Sequence, residues 1–267
     1  MGETTESATP VTIDVATRGR FPGAAEYARD KIGGLFHLAD RPVLYARVRL
    51  TEHADPAVSR PVIAQANLDV SGRVVRAQVD GVNAREAIDR LTARLRQRLE
   101  RTARHWEARR GARPVNTPHE WRHDSVPAHR PGHFLRPVDE RRVVRRKSIA
   151  PHTCTVDEAV HDMELLDYDF YFFTESGTGF ASVLYRGESG VHRLAQVVAP
   201  SEERLAHFES PVTLSAASPP CVTIDEAVER MGLLGLPFLF FIDAAEGRAA
   251  ILYHRYDGHY GLISPAD

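Results

Sequence analysis

The sequence predicts an α+β protein in which an N-terminal β-α-β-β-β-α domain, with two helices on one face of a sheet, precedes two tandem β-α-β-β-β modules. Short stretches of alternating apolar and polar residues, framed by two amphipathic helical stretches, predict the first domain. The modules are predicted by a repeat, because residues 155–194 recur as residues 223–262 at a constant offset of about 68 positions. A repeat of this length with retained turn residues indicates two copies of one folding unit.

Residues 11–106 are predicted to form the first domain. Its strands are expected where apolar residues alternate with polar ones or cluster, and Ser71-Gly72 is a two-residue turn that makes the last two strands a hairpin. Pro22 suits the first turn of one helix, and Asn83 can cap a second, which continues to about Trp106. The expected strands are Val11–Val15, Val43–Leu50, Val62–Val70 and Val74–Val79.

Residues 107–140 are rich in Pro, Arg and His and are predicted to be a linker. The first module is assigned to residues 141–196, with Val143–Ser148 as its leading strand, and the second to residues 209–267. The spacing of Thr155 and Glu158, which recurs at Thr223 and Glu226, predicts a capping box at the start of each module helix.

Each module is too small for an independent core, since one helix covers only one face of its sheet. The aromatic strands therefore predict that the two copies pack on each other, and the same chain holds both at a high local concentration. The residues expected to form this contact are Phe170, Phe172, Val183, Tyr185, Phe238, Phe240, Ile251 and Tyr253.

The composition excludes several classes of protein. Hydrophobic residues make up 43% of the chain, which is ordinary for a globular protein, and no apolar stretch is long enough for a membrane span. The first ten residues do not resemble a secretory signal. Two cysteines, Cys154 and Cys221, are too few for a disulfide scaffold and fit a reducing cytoplasm.

The net charge of −2 conceals a division along the chain. Residues 1–110 hold 19 Lys and Arg against 14 Asp and Glu, and residues 111–147 hold 9 against 4. Residues 148–267 hold only 6 against 18. A basic N-terminal part joined to an acidic C-terminal part indicates that the N-terminal part binds a polyanion.

The second long helix carries the strongest signal for RNA binding, since arginines follow one flank of its apolar stripe. Such a row is also typical of a solvated helix face, so both interpretations stay open. Arginines after the first strand and beside the hairpin turn extend the patch. The predicted rRNA-binding residues are Arg18, Arg20, Arg73, Arg76, Arg90, Arg94, Arg98 and Arg101.

The sequence does not predict an enzyme, a cofactor or a metal site. It lacks a glycine-rich phosphate loop and a Gly-x-Ser-x-Gly motif. A metal-dependent RNA-processing site in the linker is a third class to consider, but rigid scaffolding for its ligands is not evident there. The histidines in question are His119, His123, His129 and His133.

The hairpin and arginine-rich helix of residues 70–101, and the repeated Asp-Glu-Ala-Val, Leu-Leu, Phe-x-Phe-Phe and Leu-Tyr elements of residues 157–185 and 225–253, resemble the long form of the ribosome hibernation promoting factor family. The doubled C-terminal module resembles its actinobacterial dormancy-associated or hypoxia-associated branch. The resemblance implies an N-terminal domain in the decoding channel of the small ribosomal subunit, where it overlaps the positions of mRNA and tRNA. It also implies C-terminal domains that pair, usually across two ribosomes.

We therefore expect a cytoplasmic, non-enzymatic factor that binds 16S-type rRNA of the small subunit, blocks translation and preserves idle ribosomes under stress. The two modules are expected to pair within one chain. The alternative is a classical dimerising long form, in which C-terminal modules of two chains join two ribosomes.

Overall fold

The structure, a computed structural model, describes residues 11–53, 58–109, 136–187, 191–255 and 257–266. These residues fall into two compact units. The first lies within residues 1–131 and includes the tripeptide Leu165–Asp167, and the second comprises the remaining described residues up to 266. Within the described ranges, no helix is both long enough and apolar enough to cross a lipid bilayer.

The first unit has the predicted α+β architecture. The elements in chain order are β1 (Thr12–Arg18), α1 (Ala24–Gly33), a 3-10 turn (Phe36–Leu38), β2 (Val43–Glu52), β3 (Val62–Val70), β4 (Arg73–Gly81) and α2 (Ala84–Arg109). The sheet has the strand order β1-β2-β3-β4, with β1 parallel to β2 and the other neighbours antiparallel.

Helix α2 is held by its apolar stripe and by the predicted cap. The Asn83 Oδ1 atom accepts the Glu86 backbone N–H at 2.9 Å, and the Glu86 carboxylate accepts the Val82 N–H at 2.9 Å. Fully buried side chains of the stripe pack on the sheet, and each contributes about 1.5–3 kcal/mol through burial. They are Ile88, Leu91, Leu95 and Leu99.

The β3–β4 connection is the predicted hairpin. Ser71 and Gly72 both have positive φ, 50° and 86°, which matches the twist of the flanking strands in a two-residue turn. The Gly72 N–H also donates to the Asp69 carboxylate at 2.7 Å. Val70 therefore pairs with Arg73 directly across the turn.

The second unit contains two five-stranded sheets and two helices. The elements are 3-10 turns (Val138–Glu140, Glu202–Arg204), α3 (Val156–Leu165), α4 (Ile224–Leu234), β5 (Val143–Ile149), β6 (Thr153–Cys154), β7 (Phe170–Glu175), β8 (Ala181–Arg186), β9 (His192–Gln196), β10 (Val212–Leu214), β11 (Cys221–Val222), β12 (Phe238–Asp243), β13 (Arg248–His254) and β14 (Tyr260–Pro265). One sheet has the order β10-β9-β8-β7-β6 and the other β11-β12-β13-β14-β5.

Both predicted capping boxes are present. The Thr223 hydroxyl accepts the Glu226 N–H, and the Glu226 carboxylate accepts the Thr223 N–H at 2.8 Å. Thr155 and Glu158 make the same pair of bonds at the start of α3. The two helices therefore begin at equivalent positions of the repeat.

The leading strands of the two copies are exchanged. Strand β5 was expected in the sheet of the first copy, and this expectation is wrong, because β5 pairs in parallel with β14 of the second copy. Strand β10, the leading strand of the second copy, pairs in parallel with β9 of the first. The repeat predicts that each copy has a leading strand, but the sequence does not encode which of two nearly equivalent sheet edges that strand joins.

Each sheet of the second unit has two buried faces. One face packs on the copy's own helix, around Phe173 and Met163 in the first copy and around Phe241 and Met231 in the second. The other faces meet in a shared cluster of five buried residues, namely Phe172, Val183, Phe240, Ala249 and Ile251. Two sheets thus form one core, with a helix on each outer side.

The strand exchange predicts a crossed effect of proline substitutions. The Ser215 N–H, directly after β10, donates to the Leu194 carbonyl of β9 at 2.8 Å, and Lys147 is its equivalent in β5. Ser215→Pro removes this donor and should accelerate amide exchange in β9, by up to about tenfold for the loss of one hydrogen bond. Lys147→Pro should accelerate exchange in β14 instead.

Hydrogen exchange measured by mass spectrometry on both variants checks this pattern, and each variant serves as the control for the other. Faster exchange of β9 in Lys147→Pro would mean that β5 pairs with the sheet of its own copy.

Candidate functional site

Four of the eight predicted rRNA-binding arginines are exposed in the first unit. Arg18 ends β1, and Arg20 follows it after one glycine. Arg73 begins β4 at the hairpin turn, and Arg101 lies on α2. Exposed guanidinium groups on regular elements can bind phosphate oxygens in a bidentate manner.

Arg90 is engaged in a different way. Its Nη1 atom donates to the Asp80 carbonyl at 3.0 Å and to the Asp80 carboxylate at 3.1 Å. Asp80 is 6% exposed and also lies 3.7 Å from Arg60. Because Arg90 compensates a buried carboxylate and links α2 to β4, part of its charge is already neutralised within the fold.

Arg94 and Arg98 converge on one carboxylate. Their Nη2 atoms donate to the Asp167 Oδ1 atom at 2.8 Å and 2.6 Å. The side chains of Arg94 and Arg98 are only 15% and 13% exposed, and that of Asp167 is 1% exposed. The other carboxylate oxygen accepts the Gln78 backbone N–H at 3.2 Å.

Arg76 contacts the same tripeptide. Its Nη1 atom donates to the Leu166 carbonyl at 3.3 Å, and its Nη2 atom donates to the Gln78 side chain at 2.7 Å. Three predicted rRNA-binding residues, Arg76, Arg94 and Arg98, therefore contact Leu165–Asp167, which belongs to the first unit. The arginine pattern alone did not identify Asp167. A comparison of the two copies could have singled it out, because the repeat position of Asp167 is occupied by Gly235 in the second copy.

Exposed arginines also occur at positions that the sequence analysis did not select. Arg49 alternates with buried Val48 and Leu50 on β2, and Arg96 projects from α2. Arg47 is paired instead, because its Nε atom donates to the Asp14 carboxylate at 2.9 Å. The hydrogen bond to Asp14 raises the pKa of Arg47 above its ordinary value.

The structure brings the predicted module-pairing residues together. The ring centroids of Phe170 and Phe238 are 5.0 Å apart, and those of Tyr185 and Phe238 are 5.3 Å apart. Phe170 also lies 5.9 Å from Tyr253, whose pKa is raised by burial. Phe172 and Phe240, with centroids 6.3 Å apart, lie with Val183 and Ile251 in the shared cluster.

A buried acid at the end of β7, Glu175, binds backbone N–H groups of two separate segments of the chain. Burial by itself would raise the pKa of Glu175, but the N–H groups of Gly177, Thr178 and Ala206 bind its carboxylate at 2.7–3.0 Å and lower the pKa below its ordinary value. The equivalent Asp243 accepts the Ala245 N–H at 2.9 Å. Glu175 therefore connects the turn after β7 with the segment that follows the 3-10 turn at Glu202–Arg204.

The described part of the chain contains no group of three or more His, Cys, Asp or Glu side chains that could hold a metal ion. The linker histidines at 119, 123, 129 and 133 lie outside the described residues. Cys154 is buried and Cys221 is exposed, and both are free thiols. Burial raises the pKa of Cys154 to about 12, so this thiol stays protonated near neutral pH.

The fold defines a class of protein, in which a small α+β domain displaying arginines is joined to a duplicated module. The family described as the Sigma 54 modulation/S30EA ribosomal protein C terminus matches residues 138–194 and 216–262. A "Dormancy associated translation inhibitor" of Mycobacterium tuberculosis is 37% identical over 85% of this chain and 79% of its own length. The chain therefore belongs to the long-form ribosome hibernation factor family.

Two further similarities accompany these. A "Ribosome hibernation promotion factor" of Deinococcus radiodurans is 28% identical over 63% of this chain and 88% of its own length. The N-terminal domain of Thermus thermophilus Protein Y, a crystal structure, matches 35% of this chain and 99% of its own with 21% identity and a TM-score of 0.29. The relatives are translation inhibitors or hibernation factors by name, and the prediction that the chain is not an enzyme is confirmed.

The pairing of Arg90 predicts a cost in stability when this residue is replaced. Arg90→Gln should lower the free energy of unfolding by about 1–3 kcal/mol, because the buried Asp80 carboxylate loses its nearest cation. Urea denaturation measures the change. Arg96→Gln, at an exposed position of the same helix, is the matched control and should change the free energy by less than about 0.5 kcal/mol. Equal effects of both substitutions would contradict a structural role for Arg90.

Proposed function

We propose that this chain is a ribosome hibernation factor that acts in the cytoplasm. Its N-terminal domain binds rRNA of the small subunit at the decoding channel and sterically blocks mRNA and tRNA, which preserves idle ribosomes under stress. The observation that carries the proposal is the similarity to a dormancy-associated translation inhibitor, which extends over 85% of the chain and therefore includes both the basic domain and the acidic modules.

The geometry of the first unit supports binding to a nucleic acid backbone. Its exposed arginines lie on or directly beside strands and a helix that a continuous core holds in place, so they can contact phosphates with little ordering of the protein. The opposite charge of residues 148–267 disfavours a second RNA contact there. Occlusion by a rigid domain requires no catalytic group.

This proposal predicts that exposed arginines contribute to binding. Arg73→Glu combined with Arg101→Glu should weaken binding to purified small subunits by roughly tenfold or more. The slope of log affinity against log salt concentration should become shallower by the amount that about two phosphate contacts contribute. Filter binding across a salt series measures both quantities. Both side chains are exposed, so the fold should tolerate the change.

The matched control is Arg230→Glu, an exposed arginine on α4 in the acidic part of the chain. It changes the net charge in the same direction and should leave binding nearly unchanged. Unchanged affinity in the double variant, or an equal loss in the control, would contradict the proposed surface.

We further propose that the two modules pair within one chain. The shared cluster and the exchanged strands support this, because each copy supplies an edge strand to the sheet of the other. A partner tethered in the same chain has an effective concentration on the order of millimolar, which a second chain rarely matches. The competing arrangement is the dimerising long form, in which modules of two chains join two ribosomes.

Pairing within the chain predicts single-ribosome particles. Ribosomes mixed with the full chain should sediment as single particles at every protein concentration, since the apolar faces of the modules are already covered. The protein alone should remain monomeric in sedimentation equilibrium. Abundant two-ribosome particles whose yield rises with protein concentration would favour the dimerising alternative.

A further inference from the structure

The first unit contains an anion site that is already occupied by a carboxylate. Arg94, Arg98 and the Gln78 N–H present three donors to the two oxygens of Asp167, at 2.6–3.2 Å. We propose that this is a phosphate site for the RNA backbone, and that Asp167 occupies it as an internal substitute that RNA must displace. The inference rests on the proposed function, which it deepens by adding autoinhibition.

The chemistry of the site fits a phosphodiester. Two guanidinium groups and one backbone N–H are the donors that proteins commonly direct at phosphate oxygens. The Gln78 N–H is available because β4 is at the edge of its sheet. A carboxylate has one charge and two acceptor oxygens, as does the phosphodiester group with its two non-bridging oxygens, so each can satisfy the same three donors.

The backbone conformation at Asp167 would suit glycine better, which indicates that aspartate stands there because of the contacts of its carboxylate. Asp167 has a φ of 53°, in the left-handed region, and its repeat equivalent Gly235 has a φ of 61°. Glycine is the residue that this conformation favours after a helix, and a non-glycine residue there costs on the order of 1 kcal/mol. The first copy thus accepts a backbone cost at the position where its side chain contacts Arg94 and Arg98.

The contact is specific to the first copy. Leu165, in the same tripeptide as Asp167, is 8% exposed and packs with the core of the first unit. Its repeat equivalent Leu233 is 77% exposed. Both copies have two leucines at the end of the helix, but only the first continues with an aspartate, Asp167, where the second has Gly235.

Occupation by Asp167 should reduce the apparent affinity for RNA. When only a fraction of the protein has the site open, the apparent dissociation constant rises by the inverse of that fraction. A site closed in about nine molecules out of ten therefore weakens binding about tenfold. A purely structural ion pair, in contrast, would leave RNA affinity unchanged when its acid is neutralised.

The test uses Asp167→Asn in the full chain. Asn keeps the shape of the side chain and tolerates the left-handed region, but it removes the charge. Its affinity for purified small subunits should be about tenfold higher than that of the unsubstituted chain at the same salt concentration. Asp167→Gly, which copies Gly235, should shift the affinity in the same direction. Glu229→Gln removes an exposed acidic charge from α4 and should have no effect.

Inorganic phosphate provides a second readout that does not involve the ribosome. Phosphate should raise the melting temperature of Asp167→Asn more than that of the unsubstituted chain, and Arg94→Gln in the Asp167→Asn background should abolish this gain.

The outcomes separate the two proposals. If Asp167→Asn and Asp167→Gly bind small subunits no better than the unsubstituted chain, while Arg73→Glu with Arg101→Glu still weakens binding, autoinhibition is wrong and the proposed function stands. If no form of the chain binds small subunits, the proposed function fails. In that case the phosphate titration tests the anion site by itself. If phosphate does not stabilise Asp167→Asn, or stabilises it equally without Arg94, the proposed phosphate site is wrong.

Discussion

The fold of the second unit depends on the burial of two faces of each sheet by different partners. A single helix, α3 or α4, covers one face, and the apolar residues of the other face would contact water without a second sheet. The shared cluster around Phe172 and Phe240 removes both remaining faces from water at once. The exchange of β5 and β10 adds backbone hydrogen bonding to the same association, so neither sheet is complete without strands from both halves of the repeat.

Charge is used differently in the two units. The first unit exposes Arg18, Arg20, Arg73 and Arg101 and commits Arg90 to the buried Asp80. In the second unit, the buried Glu175 carboxylate accepts hydrogen bonds from three backbone N–H groups of the same unit. Asp167, two residues after α3, belongs to the first unit and accepts hydrogen bonds from Arg94 and Arg98 there. A sequence-wide count of charge therefore identifies the basic domain, while the ion pairs of Arg90, Arg94 and Arg98 with buried acids appear only in the structure.

Much of the fold could be predicted from local patterns. The hairpin at Ser71-Gly72, the cap at Asn83 and the two capping boxes follow from short-range chemistry that acts within a few residues. The aromatic residues expected at the contact between modules lie together, because alternation along a strand fixes which side chains share a face. The partner of β5 could not be predicted, since the two candidate sheet edges belong to two copies of the same repeat.

The sequence by itself determined the α+β class, the duplicated module, the basic N-terminal part and the residues able to form the shared cluster, because periodicity, repetition and charge are properties of the chain. Only the tertiary structure decided that the leading strands are exchanged and that Arg94 and Arg98 share Asp167. The pairing of β5 with β14 and the sharing of Asp167 depend on contacts between residues roughly 70 or more positions apart, where many pairings satisfy the same local pattern and tertiary packing selects one.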